Sequence, residues 1–226
     1  MKTTDSFGRP LVAVTGMGVV TSLGQGKADN WAALTSGRSG IHSITRFPID
    51  HLATTIAGTV DFLPQSDRGA SALTFALADL AAEEAITEAA LPGSEFAGPL
   101  FLAAPPVELD WHSRLALYAR SERTGDWRSL IEAARNARDA AYFEESQFAS
   151  IADRLSEKYG VRGLPITLST ACASGATAIQ LGVEAIRRGE CDRALAIGSD
   201  GSATAEALIR FSLLSALSTQ NHDPEK

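Results

Sequence analysis

The sequence runs to 226 residues, 45% hydrophobic and 21% charged, proportions that let a chain bury a real core. Its net charge of −7 offers nothing to offset phosphate repulsion, which excludes non-specific nucleic-acid binding, and no apolar run approaches the roughly 20 residues of a membrane span. Two cysteines in unlike surroundings make no disulfide framework and the N-terminus lacks a signal-peptide core, so a cytoplasmic protein is expected.

In chain order, Leu11-Val12-Ala13-Val14-Thr15-Gly16 is a continuous apolar run closed by glycine, the pattern of a strand buried on both faces. The nearby glycines (Gly16, Gly18, Gly24, Gly26) lack the spacing of a dinucleotide fingerprint, and no strand ending in an acidic residue follows where that fold needs one; they read as turn residues. Residues 27–36 predict a short helix with Trp31 and Leu34 inward, stopped by Gly37, and residues 54–60 a short strand. An alanine-rich helix is expected from a cap at Asp67 through Leu91, with Pro92-Gly93 as its stop. Leu73, Leu77, Leu80 and Ile86 keep helical spacing within it, and Glu83 and Glu84 are expected to face water. Leu100-Phe101-Leu102-Ala103-Ala104, closed by Pro105-Pro106, is a second buried-strand candidate.

Residues 107–140 differ in composition, with Arg114, Arg120, Arg123, Arg128, Arg135 and Arg138 set among Glu122, Asp126, Glu132 and Asp139. One reading is a pair of solvated helices of mixed charge; the other is a docking surface for an acidic partner. A helix over 142–159 would bury Phe143, Phe148, Ile151 and Leu155. After Pro165 come a strand leading to Cys172, a helix through Arg188, and a buried strand over 194–198. Alternating buried strands and helices give an α/β chain without repeats or an obvious linker.

The chemistry is expected at Thr167-Leu168-Ser169-Thr170-Ala171-Cys172-Ala173-Ser174-Gly175-Ala176, where an aliphatic and β-branched run stops at a cysteine and a small-residue helix begins. Unpaired amides and the positive dipole end at a helix N-terminus favour thiolate over thiol, and the thiolate is the nucleophile. The small neighbours leave the sulfur open to approach. A buried, inert thiol is the alternative, since free cysteine is often core. Cys191, in the polar turn Arg188-Gly189-Glu190-Cys191-Asp192, has no such setting.

These residues resemble a known family. Leu11-Val12-Ala13-Val14-Thr15-Gly16-Met17-Gly18-Val19-Val20-Thr21-Ser22-Leu23-Gly24 is similar to the opening of the β-ketoacyl-acyl-carrier-protein synthases, and Thr170-Ala171-Cys172-Ala173-Ser174-Gly175 to their nucleophile motif. Ala185-Ile186-Arg187-Arg188-Gly189, Ile197-Gly198-Ser199-Asp200 and Ala216-Leu217-Ser218-Thr219-Gln220-Asn221 resemble the stretches that follow it. The resemblance covers most of the chain except about 107–140 and implies the N-terminal half of a thiolase-like fold, a mixed sheet covered by helices.

The resemblance further implies an elongating synthase in which Cys172 accepts an acyl chain from an acyl carrier protein, after which a malonyl-carrier thioester loses carbon dioxide and its carbanion attacks the acyl-enzyme. The Cys172 N–H would serve an oxyanion hole, Phe211 would line the acyl pocket, and Arg120 and Arg123 are candidates for docking the acidic carrier. No resident cofactor or metal is implied, because the phosphopantetheine arm arrives on the carrier; a homodimer is implied. Two histidines and a lysine that complete the family's site belong to its second half, and His42, His51, His112 and His222 stand in no matching motif. The chain is therefore expected to be one N-terminal domain over 1–226 with a helical insertion at about 107–140, inactive in condensation without a second half. Ala103-Ala104-Pro105-Pro106 replaces a glycine-rich turn, and the region after it is longer by roughly ten residues, a size surface loops tolerate. A non-catalytic chain-length-controlling partner and a coenzyme A-dependent thiolase are the alternatives; the first typically lacks the cysteine.

Overall fold

The computed structural model describes residues 3–64, 69–91, 95–106, 109, 111–121, 126–137, 143 and 147–223. Its elements are β1 (Val20–Thr21), β2 (Gly24–Gln25), α1 (Gly26–Thr35), β3 (His42–Ser43), β4 (Ile56–Ala57), α2 (Gly69–Ala89) and β5 (Leu100–Ala103), followed by α3 (Trp111–Arg120) and α4 (Trp127–Ala137). Then come α5 (Ser150–Tyr159), β6 (Ile166–Leu168), α6 (Ser174–Arg187), β7 (Leu195–Gly198) and α7 (Ala205–Leu213). Strands β6-β5-β7 form a parallel sheet, while β1-β2 and β3-β4 are small antiparallel ladders.

Strand alternation decides what covers each face of the sheet. Leu100 and Leu102 pack with Ala78 and Ala82 of α2, with Ile151, Ala152 and Leu155 of α5, and with Leu195 and Ile197. Phe101 and Ala103 point the other way, onto Ala178 and Ala185 of α6. Both faces are covered, so all four residues of β5 are buried, as the unbroken apolar run requires. Each fully buried leucine contributes about 1.5–3 kcal/mol.

Thr74, Ala78 and Ala82 recur every fourth residue and make the buried stripe of α2. Asp79 fastens this helix to α5: Lys158 Nζ lies 2.6 Å from its carboxylate, and the Tyr159 hydroxyl donates to the same carboxylate at 2.8 Å. Burial and the Asp79 charge push the Tyr159 hydroxyl well above the usual phenol range, so it stays a donor. Gly160 ends α5 at φ 63°, and a Cβ there would lie 2.6 Å from the Glu95 side chain.

Several expectations are corrected. The 11–16 run forms no strand; Leu11 and Val14 are exposed, and the stretch is held against α2 instead. A Cβ on Gly16 would lie 2.0 Å from the Ala85 carbonyl oxygen, and one on Gly18 would lie 1.9 Å from that of Ala81. The Met17 N–H donates to Glu88 at 2.7 Å and the Val19 N–H to Glu84 at 3.0 Å. Glu84 also accepts the Lys27 N–H at 2.9 Å, so it faces backbone donors, whereas Glu83 does face water.

Helix α1 has nearly the predicted bounds but the opposite phase. Trp31 and Leu34 are exposed, while Asn30 and Ala33 are buried. The cause is polar: the Asn30 amide donates to the carbonyls of Gly24 and Gly26 and accepts the Thr21 hydroxyl, satisfying the β1-β2 turn from inside. The strand expected at 54–60 shrinks to β4. Helix α2 begins at Gly69, and Asp67, Pro92 and Gly93 lie outside the described residues. Helix α5 starts at Ser150, with Ile151 and Leu155 buried as expected but Phe143 and Phe148 exposed. Residues 107–140 supply the expected helix pair, α3 and α4, whose Leu117 and Ala133 are buried while Trp111, Tyr118 and Trp127 are exposed. Among the described residues no helix is long and apolar enough to cross a membrane.

Candidate active site

The register Ala103↔Leu168 ends β6 level with β5, and the Ala104 N–H donates to the Leu168 carbonyl at 3.2 Å. Past Leu168 the chain must reverse onto the sheet as α6, because Ala178 and Ala185 pack on Phe101 and Ala103. The reversal is made at Ala171, which takes φ 51°, a left-handed conformation costing a non-glycine residue about 1–2 kcal/mol. Cys172 follows, exposed, and α6 begins two residues later with no side-chain cap on its first amides. The thiol therefore stands at a helix N-terminal end, as its sequence context indicates.

Hydroxyl groups brace this elbow. The Thr170 N–H donates to Ser174 Oγ at 2.7 Å, and that hydroxyl donates to the Ala171 carbonyl at 2.6 Å. The Thr170 and Thr177 hydroxyls lie 3.1 Å apart, and the Thr177 hydroxyl reaches the Ala173 carbonyl at 3.0 Å. The Cys172 N–H donates to no acceptor among the described residues. Ala171 and Ala173 are exposed, and a Cβ on Gly175 would meet nothing within 4 Å, so the approach is open. An accessible thiol beside an uncommitted backbone donor can attack a carbonyl and stabilise the oxyanion that results.

The second cysteine contrasts with it. Cys191 is partly buried against the Phe101 cluster, and burial pushes its thiol up, away from the reactive thiolate. Phe211 sits half exposed on α7, a helix with no buried residue. Arg120 ends α3, exposed and without a carboxylate partner among the described residues; Arg123 lies outside them. The structure thus gathers neither Phe211 nor Arg120 into a buried cluster with Cys172.

Among the described residues no histidine hydrogen-bonds at the elbow either. His42 spends its ring nitrogens on the Gly40 carbonyl and on Asp61, each at 3.0 Å, while His51 and His222 are exposed. A shallow cavity of about 360 Å³ lies against α1, lined by Leu23, Asp29 and Arg38 among others, and shares no residue with the elbow. No three metal-ligating side chains converge among the described residues. The bracing hydroxyls were not singled out from the sequence, although Thr170, Ser174 and Thr177 straddle Cys172 at spacings of four and three, a detectable signal.

Residues 10–97 and 105–226 match the family described as beta-ketoacyl synthase, N-terminal domain; the match includes the α3–α4 segment and omits 98–104. The chain is 28% identical to the 3-oxoacyl-[acyl-carrier-protein] synthase 2 of Coxiella burnetii, over 95% of this chain and 51% of the relative. It is 29% identical to the tetracenomycin polyketide synthase ketoacyl synthase alpha subunit of Streptomyces glaucescens, over 94% and 51%. Among solved structures, a type II polyketide synthase acyl-carrier protein in complex with its ketosynthase superposes with a TM-score of 0.70 at 27% identity, over 92% of this chain and 49% of that one. The chain spans about half the length of the relatives it matches. On the strength of that match and of the exposed cysteine at its strained elbow, the chain belongs to the β-ketoacyl synthase N-terminal domain family.

Proposed function

We propose that this chain carries the acyl-accepting part of a β-ketoacyl-acyl-carrier-protein synthase of fatty-acid elongation. The observation that carries the reading is Cys172, exposed after a left-handed Ala171 at the mouth of α6. In the proposed reaction its thiolate adds to the carbonyl carbon of an acyl-carrier thioester, forming the new S–C bond. The π pair moves to oxygen, facing the Cys172 N–H; collapse expels the phosphopantetheine thiolate and leaves the acyl group on Cys172. A malonyl-carrier thioester then loses carbon dioxide, and its carbanion attacks the acyl-enzyme, releasing Cys172 and the β-ketoacyl-carrier product. The family resemblance assigns decarboxylation to histidines of its second half, where a lysine also completes the site, so condensation is proposed for the whole protein and acyl transfer for this part.

The same reading takes the acyl carrier protein as partner, with its acidic surface docking at Arg120 and Arg123, and Phe211 lining the acyl pocket. A cytoplasmic homodimer without a resident cofactor completes the proposal. The exposed cysteine argues against a non-catalytic chain-length partner. The names of the Streptomyces relative and of the matched complex favour a second reading, a polyketide ketosynthase of the same chemistry.

Mass spectrometry after incubation with an acyl-carrier thioester tests the proposal. One acyl adduct on Cys172, absent from Cys172→Ala and retained in Cys191→Ala, is expected; an unmodified Cys172 overturns it. Faster acylation by a β-keto polyketide thioester than by a saturated fatty acyl thioester would favour the second reading, and faster acylation by a coenzyme A thioester would favour a thiolase.

A further inference from the structure

We propose that Ser174 is a positioning residue that aims the Cys172 N–H at the oxyanion of the acyl-transfer step, an inference that rests on the acyl-accepting role of Cys172. The Ala171 carbonyl and the Cys172 N–H belong to one planar trans peptide and point in opposite directions, so fixing one fixes the other. That carbonyl accepts from the Ser174 hydroxyl at 2.6 Å and from the Ser174 N–H at 3.1 Å. The polarity is unambiguous. Ser174 Oγ accepts the Thr170 N–H at 2.7 Å, an interaction that leaves its single proton for Ala171.

The elbow needs this grip because Ala171 sits at φ 51°, where an alanine is strained. Relief of that strain requires rotation about the Ala171 N–Cα bond, which would carry the 171–172 peptide with it and swing the Cys172 N–H away. Ser174 opposes the rotation from inside the turn, and the Thr170–Thr177 hydroxyl pair ties the entry of the turn to the first turns of α6. Among the described residues the Cys172 N–H is left without an acceptor, and Ala171, Cys172 and Ala173 are exposed, which leaves a substrate carbonyl room to approach.

Two reactions at the same sulfur separate aiming from mere integrity of the fold. With p-nitrophenyl hexanoate the thiolate adds to the ester carbonyl, an oxyanion forms, and collapse expels p-nitrophenolate in a burst. With chloroacetamide the thiolate displaces chloride from a tetrahedral carbon, and no oxyanion develops. For Ser174→Ala the burst is expected to slow about tenfold or more while alkylation changes by less than about threefold, and Ser174→Thr, which keeps the hydroxyl, is expected to restore the burst. A wild-type burst unaffected by Ser174→Ala overturns the role of Ser174 and leaves the acyl-accepting reading standing. An equal fall in both reactions also overturns it, because a loosened elbow slows any chemistry at the sulfur. A wild-type protein that is alkylated but gives no burst overturns the acyl-accepting reading itself.

Discussion

Leu100 and Leu102 are completely buried, whereas Leu11 and Val14, in a run of similar apolar character, keep 54% and 77% of their surface exposed. The difference lies in the neighbours of each run. β5 has β6 along one edge and β7 along the other, with α2 and α5 over one face and α6 over the opposite one. Its backbone groups and its side chains therefore both find partners. The 11–18 stretch has α2 on one side, reached through the bare backbones of Gly16 and Gly18, and its Met17 amide goes to a carboxylate rather than to a ladder. Burial of an apolar run is settled by what surrounds it, and helix contact through glycines leaves the neighbouring side chains in solvent.

The contrast can be tested at both ends. Leu102→Ala should cost about 2–5 kcal/mol in denaturant unfolding, and a loss below about 1 kcal/mol would mean that the sheet core is looser than its burial indicates. Gly18→Ala comes next, at about 1–3 kcal/mol, because the added methyl meets helix backbone that has little room to yield; an unchanged midpoint would show that the stretch is not seated on α2. Val14→Ala should stay within about 0.5 kcal/mol, and a larger loss would place Val14 in a core.

The smallest effect is one of pH. The Lys27 ammonium and the Met17 N–H hold the Glu88 carboxyl below its usual 4.5. A depressed folded-state value means that the hold on Met17 is complete above pH 4.5 and is lost as the pH falls through the lowered value. Hydrogen exchange at the Met17 amide, corrected for its intrinsic rate, should quicken only below pH 4.5, and Glu88→Gln should flatten that dependence; a flat wild-type profile would detach the stretch from Glu88.

Much of this was legible in the residues themselves. β5, the β6–Cys172–α6 passage and β7 announce themselves because burial on both faces demands unbroken apolar runs, and because small residues must flank a reachable thiol. The inward face of α1 was not legible: Asn30 points in to serve the Gly24 and Gly26 carbonyls, a demand set by a turn and not by the helix period. Glu84 was misread for the same reason, since its partners are backbone amides some sixty residues away in sequence. At the elbow the cysteine was visible but the left-handed Ala171 was not, because alanine carries no mark of that conformation.

The parallel register leaves Ala103, Leu168 and Gly198 level, so the segments after all three strands depart from one end of the sheet. Two of these departures are tightly engaged. The Ser199 hydroxyl donates to the Thr74 carbonyl, the Gly201 N–H donates to the Thr74 hydroxyl, and the elbow is closed by Ser174. The third runs into Pro105 and Pro106, which have no N–H to commit. Sequence drift, or a designed library, can rewrite those two positions without breaking a backbone donor's hydrogen bond. New sequence and an intact scaffold can then be selected independently at the end of the sheet where Cys172 stands.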